Sequence, residues 1–308
     1  MGDAVSRGEE RGRLLRESVA LTAPAKINLT LEVLGKRTDG LHEVATVMQT
    51  ITLADRLRFS PAAERTLRYR GNGPGDDADL ILRAARLLRE RKDVDAGCQI
   101  ECTKRIAVAA GLGGGSADAA ATLRALNELW HVGLNASDLA ELGAELGADV
   151  PFLVEGGTAL ATGTGREIAP LPDAPPHWVV LVPIPATEAA KTADMYRALE
   201  PRDLTDGSNA RRQAAAISEG DLDVGAVASA FMRVASERWP STGSALDALQ
   251  QADAQAVSVA GAGPSAFGLY PKRTDALGGL ARVRAEGLPA GLYRFAKRVS
   301  LRSAQPAG

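Results

Sequence analysis

Apolar and polar residues alternate along the chain from Val19 onward. In PAKINLTLEVLG, Ile27, Leu29, Leu31 and Val33 fall on one face of an extended strand, and Lys26, Asn28, Thr30 and Glu32 on the other. KRTDGLHE turns the chain through Asp39-Gly40, VATVMQTITL predicts a second strand, and short strands follow through Phe59 and Tyr69. GNGPGDD reads as a loop, after which Asp79 can cap the helix LILRAARLLRERK. CQIEC predicts a strand with Cys98, Ile100 and Cys102 on one face. A glycine-rich loop comes next, with a helix running to about Trp130. NASDLAELGAELG sets Leu139, Leu142 and Leu146 at helical spacing, with Asn135 or Ser137 as cap and Gly147 as the end. GGTALATGTGRE reads as a hairpin, and PLPDAPP, residues 170–176, is the best linker candidate. Beyond it the pattern predicts a strand at Trp178, helices around 190–200, 209–218, 225–236 and 242–251, and the run AVSVAGAGPSAFGLY. No internal repeat is visible.

This mixture of strands and helices over 308 residues fits two α/β domains. The boundaries read as a disordered tail over 1–18, an N-terminal unit over 19–171 and a C-terminal unit over 172–303. The tail mixes arginines with acids and lacks an apolar stretch, which fits neither a signal peptide nor a transit peptide. A formal net charge of −2 gives no global field for nucleic acid or an anionic membrane, and no run of 18 apolar residues occurs. Any phosphate binding must then come from a local device. Four residues of strand span about 13 Å, too far for Cys98 and Cys102 to join. Two buried thiols in a reducing, cytoplasmic setting are expected. His42, His131 and His177 are too scattered to suggest zinc.

The local device is VAAGLGGGSADAAATLRAL, where four of the five residues Gly111 to Gly115 are glycine and a helix follows at once. It is not a Walker loop, because Gly115 stands where lysine is needed before Ser116. The dinucleotide spacing GxGxxG fails too, on Ser116 counted from Gly111 and on Asp118 counted from Gly113. A bare backbone leading into a helix N-terminus can still surround a phosphate with N–H groups. Ser116 could cap that helix or offer its hydroxyl. A plain structural turn stays open, but one or two glycines would suffice for it.

KRIAVAAGLGGGSADAAATLRALNELW resembles the second motif of the GHMP kinases, the family named for galactokinase, homoserine, mevalonate and phosphomevalonate kinases, whose loop wraps the phosphates of ATP. Three more segments agree in order. PAKINLTLEVLGKRTDGLHE resembles the opening, LGADVPF the catalytic segment and GAGPSAFG the third glycine motif of a branch acting on an alcohol that carries a cytidine diphosphate group. The resemblance spans Val19 to Arg298. It departs from the family pattern at Ala107, where proline is usual, and at Ala109 and Ala110, where glycine is common and methyl groups should narrow the loop. Leu41 stands where a tyrosine usually precedes the histidine.

The resemblance implies a two-lobe α/β (α+β) kinase fold with ATP and the alcohol meeting in the cleft, and ATP and Mg²⁺ as cofactors. It implies Asp149 as the general base that accepts the substrate proton, with Lys26 paired to it. The loop through Ala107, Val108, Ala109, Ala110, Gly111, Leu112, Gly113, Gly114, Gly115, Ser116 and Ala117 would hold ATP. Asn28 and His42 would contact the substrate, His42 on the cytosine ring, and Tyr196 in KTADMYRAL would stack on the base. Gly261 and Gly263 would let the substrate diphosphate or the γ-phosphate approach. The Mg²⁺ ligands are not readable, although Ser116 is a candidate. Alternatives are a kinase of the same fold acting on homoserine, mevalonate or a sugar, and an oxidoreductase using Gly261, Gly263 and Ala266 as a loose GxGxxA. The last leaves too little chain for a second mononucleotide half.

Overall fold

The computed structural model describes residues 18–62, 66–71, 78–186 and 192–299, so the expected tail, except Ser18, and most of GNGPGDD lie outside the described residues. Strands β1 (Val19–Lys36) and β2 (His42–Ala62) form a long antiparallel ribbon. The turn between them is held by the Asp39 carboxylate, which accepts from the Leu41 N–H. Of the short strands expected after VATVMQTITL, the one at Tyr69 forms separately, but the one through Phe59 is a continuation of β2. Leu53, Asp55, Leu57 and Phe59 all point inward, so the period of two carries the strand through to Ala62.

β3 (Leu67–Gly71), helix α1 (Leu80–Arg91) and β4 (Gly97–Thr103) follow. The Asp79 side chain caps α1 by accepting from the Ile81 N–H, a bond typically contributing about 1 kcal/mol. Helix α2 (Gly114–Leu129) is rich in alanine, so it lies close against β1, β2 and α1 with nearly every face buried. Helix α3 (Ala136–Ala144) starts with a capping box between Asn135 and Asp138 and stops before the expected Gly147. Short helix α4 (Val150–Glu155) and strands β5 (Thr158–Thr162) and β6 (Glu167–Pro170) come next. The first sheet runs β3-β4-β2-β1 and continues to a later strand; β5 pairs with β2 at Thr46–Gln49, while β4 pairs with it at Arg56–Ala62. Both lie along the edge of β2 opposite β1, with residues 50–55 of β2 between the two pairings.

β7 (Trp178–Val182) opens the second sheet. Helices α5 (Thr192–Arg197) and α6 (Ser208–Ser218) precede β8 (Ala228–Ser229), which joins the first sheet parallel to β1. A helix over 225–236 was the expectation from sequence, but only α7 (Met232–Arg238) forms there. Val224–Ala226 wind only a single 3-10 turn, and Ala228 and Ser229 are held extended by pairing with Thr30 and Leu31. Helix α8 (Pro240–Gln251), β9 (Ala256–Val259), β10 (Ala266–Tyr270), α9 (Arg273–Ala285) and β11 (Gly291–Arg294) complete the order, and the second sheet is β11-β7-β10-β9, antiparallel throughout.

The two sheets meet in one buried cluster, where Ile27 and Leu29 of β1 pack with Val179 and Leu181 of β7 and Phe267 and Leu269 of β10. Burying each such side chain contributes on the order of 1.5–3 kcal/mol. The polar side of β1 is buried as well, so its groups need partners. The Asn28 amide donates to the Thr46 hydroxyl, which donates to the Thr30 carbonyl, and Glu32 accepts from the Ala210 N–H at the start of α6. After β11 the chain returns to the first sheet, with the Ala296 N–H on the Thr50 carbonyl and the Val299 N–H on that of Glu155.

Candidate active site

β1 changes register against β2 between Pro24 and Lys26 and again between Asn28 and Thr30. Such irregularities bend a strand and re-aim its side chains. Here they bracket Lys26 and Asn28. The Lys26 ammonium donates to Asn28 Oδ1 at 2.9 Å and lies 3.4 Å from Asp149 Oδ2. Asp149 sits at the N-cap of α4, with Pro151 in the first turn, yet its carboxylate makes no capping bond and is left to face Lys26. The lysine side chain is 6% exposed and the aspartate 35%, so the acid is the partner that a bound molecule can reach.

The glycine loop closes over this pair. Its Leu112 carbonyl accepts from the Lys26 N–H at 3.0 Å. Gly113 adopts φ +70 as the N-cap of α2, and a Cβ there would come within 3.0 Å of Lys26 Cγ and 3.7 Å of Asp149 Oδ2. Gly111 adopts φ +80, with its Cα side facing the Ala260 and Gly263 carbonyls. Because α2 starts at Gly114, Ser116 is already inside the first turn and does not cap the helix, one of the two roles its position suggested. The first N–H groups of any helix lack intrahelical acceptors, and here they belong to Gly114, Gly115 and Ser116, the first two with no side chain to cover them.

Two cavities flank the loop. One, of about 470 Å³, is lined by Lys26, Asn28, Asp149, Tyr196, Trp239 and Gly261 among others. The second, of about 410 Å³, is lined by Tyr69, Leu80, Lys104 and the loop from Ile106 to Ser116. Ala109, Gly111, Gly113 and Ser116 border both, so the loop is the shared wall.

The expected site residues distribute as follows. Lys26, Asn28, Asp149, Gly113 and Gly261 converge, and the Gly261 N–H donates to Asn28 Oδ1 at 3.1 Å. Gly263 borders the first cavity, where a Cβ would meet that of Ala235 at 2.9 Å. Tyr196 lines the same cavity, while His42 stacks on it from outside the lining at 4.6 Å between centroids, and Phe231 meets Tyr196 edge-on. Burial, then the Lys36 charge, lowers the His42 imidazole below its usual value, and burial followed by Asp149 pushes the Tyr196 phenol up to about 12. Both rings therefore favour the neutral state suited to stacking. Ala107, Val108, Leu112, Gly114 and Gly115 border the second cavity. Ala117 does not line either cavity and packs in the core with α1. Ala110 is buried against the core and at the same time lines the second cavity.

A charged cluster beside the loop was missed from sequence. Asp55 on β2 is fully buried and accepts from the N–H groups of Arg105 and Ile106, while Lys104 bridges Asp55 and Asp118. One signal was present, because Asp55 occupies an inward position between Leu53 and Leu57.

The GHMP kinases N terminal domain matches residues 79–157, which contain the loop, α2 and Asp149. That match and the fold place the chain among the ATP-dependent small-molecule kinases of the GHMP class. The chain is 43% identical over 257 residues to a 4-diphosphocytidyl-2-C-methyl-D-erythritol kinase of Geobacillus sp. (strain WCH70), covering 80% of this chain and 86% of the relative. It is 44% identical over 271 residues to the enzyme of that name from Pelotomaculum thermopropionicum, covering 86% and 94%. A crystal structure of 4-(cytidine 5'-diphospho)-2C-methyl-D-erythritol kinase superposes with a TM-score of 0.79 at 32% identity, over 90% of this chain and 99% of that one. A homoserine kinase from Cytophaga hutchinsonii shares the fold, with a TM-score of 0.72 at 18% identity. The chain belongs to the 4-diphosphocytidyl-2-C-methyl-D-erythritol kinase family.

Proposed function

We propose that the chain transfers the γ-phosphoryl group of ATP to the 2-hydroxyl of 4-diphosphocytidyl-2-C-methyl-D-erythritol, a step of the non-mevalonate route to isoprenoid precursors. The observation that carries this reading is the glycine loop standing as a wall between two cavities, with the Lys26–Asp149 pair against its last αL glycine. ATP would occupy the second cavity with its polyphosphate on the loop N–H groups, and the alcohol would occupy the first. Asp149 would accept the hydroxyl proton as the oxygen attacks phosphorus, and Lys26 would orient the carboxylate and offset charge in the transition state. By the same reading, residues 19–171 handle the nucleotide and 172–303 contribute the substrate side.

Mg²⁺ suits this arrangement as an ion that arrives on ATP. Among the described residues no group of three or more His, Cys, Asp or Glu side chains could hold a metal by itself. The hard oxygen donor available on the loop is the Ser116 hydroxyl, which borders both cavities. Bound there, the ion would neutralise phosphate oxygens.

An ATP-consumption assay over a panel of alcohols tests the substrate class. The cytidine-diphosphate-linked alcohol should be turned over in preference to homoserine, mevalonate and galactose. Equal or better use of any of these would reject the assignment. Within the same assay, Tyr196→Ala should raise KM for the cytidyl substrate about ten-fold or more, since a base stacked on an aromatic is worth about 1–3 kcal/mol. KM for ATP should stay near the wild-type value, and Tyr196→Phe should be nearly neutral. A Tyr196→Ala protein that loses thermal stability but keeps its KM would make Tyr196 a packing residue for His42 and Phe231 alone.

A further inference from the structure

We propose that Lys104, clamped between Asp55 and Asp118, is a positioning residue for ATP that holds the two ends of the phosphate loop together. The inference rests on the kinase reading above but concerns residues that the reaction itself does not use.

A glycine-rich loop is expensive to order, so something must fix its ends before a ligand arrives. At the entry end, β4 stops pairing with β2 at Thr103 and Arg56. Asp55, the next residue of β2, takes over. Its Oδ1 accepts from the Arg105 and Ile106 N–H groups, so the chain leaves the strand under the control of a buried carboxylate. At the exit end, Asp118 lies one turn into α2. The Lys104 ammonium joins the two carboxylates, closing a bridge across the base of residues 105–117.

The bridge is costly, which argues against a purely structural purpose. Two carboxylates share one ammonium with side-chain exposures of 0%, 5% and 13%. Asp118 Oδ1 is buried and has no hydrogen-bond partner among the described residues. Burial pushes the Asp118 carboxyl up to about 7 against the pull of Lys104. Apolar side chains of similar volume hold a fold at least as well as a buried ion pair. What they cannot do is set the position of an ammonium beside the start of α2. A Cβ on Gly114, the first residue of that helix, would lie 3.6 Å from Lys104 Nζ. A cation there opposes the helix dipole unless carboxylates balance it. Lys104 and Asp118 also line the second cavity, so the strap borders the space it would organise.

The test compares wild type with Lys104→Met and Asp118→Asn, by hydrogen exchange of residues 105–117 without ligand and by calorimetric titration with Mg-ATP. In Lys104→Met the loop amides should exchange about ten-fold faster or more while the sheet amides keep their protection. ATP affinity should fall about ten-fold, and KM for the alcohol should change by less than about two-fold. Asp118→Asn keeps the shape, and should move loop exchange and ATP affinity in the same direction by about three-fold. Weakened ATP binding with unchanged loop exchange would overturn the proposal, because Lys104 would then contact the nucleotide directly. Unchanged ATP affinity would overturn it as well. If Lys104→Met does not fold, Asp118→Asn decides alone, and wild-type exchange and affinity in that variant reject the strap. A wild-type protein that binds ATP but ignores the cytidyl alcohol would fail the substrate reading and leave this test intact.

Discussion

Asp149→Asn is expected to lower kcat by about 10²- to 10⁴-fold, the usual weight of a positioned general base, with little change in KM for ATP. The carboxamide keeps the shape at the N-cap of α4 but cannot take up the hydroxyl proton. The fold should survive, because the native carboxylate makes no capping bond and its described partner is the Lys26 ammonium at 3.4 Å. Lys26→Ala acts at the same centre and should cost a comparable amount. The double variant should then fall far short of the sum of the two losses, as groups that work as a unit do. Steady-state kinetics on the four proteins checks this. Near-normal turnover in Asp149→Asn would remove the proposed base.

Gly111→Ala carries the second large effect. An added Cβ would be driven into the Ala260 carbonyl oxygen and would come within 2.7 Å of the Gly263 oxygen. Both obstacles are backbone, so neither can swing aside as the end of a side chain would. The loop would have to lift from the Ala260–Gly263 turn, opening the seam where Lys26, Gly113 and Gly261 meet. Left-handed backbone at φ +80 adds about 1–2 kcal/mol of strain for any L side chain. Together with the overpacking, a loss of about 2–4 kcal/mol in stability is expected, and in any folded fraction KM for ATP should rise about ten-fold or more. Gly133→Ala is the matched control, with φ +79 and nothing within 4 Å of the added atom. Thermal unfolding and ATP kinetics on both would separate strain from collision. A Gly111→Ala protein no worse than Gly133→Ala would show that the loop does not need that close approach.

The elements that were readable from sequence are those whose cause is local. Alternation gave β1 and β4, the Asp79 and Asn135 caps gave the starts of α1 and α3, and the glycine run marked the loop before α2. Failures arose where distant pairing decides. Two residues of β8 are strand only because Thr30 and Leu31 lie beside them. The Ser116 position was misjudged because Gly113, in left-handed backbone, starts the helix early. At the site, the nearness of Lys26 to Asp149 came from a family resemblance, since nothing in the spacing of one sequence brings β1 to the start of α4. The Asp55–Lys104 bridge joins residues 49 apart and had no local signature beyond an acid on an inward face.

The most direct test of the central claim is to identify the product. Purified protein is incubated with Mg-ATP and 4-diphosphocytidyl-2-C-methyl-D-erythritol, and the mixture is read by mass spectrometry and phosphorus NMR. The expected result is one ADP for each alcohol consumed, one added phosphoryl group on the 2-hydroxyl, and loss of that signal in Asp149→Asn. ADP released without a phosphorylated alcohol, or the same product formed at the wild-type rate by Asp149→Asn, would contradict it.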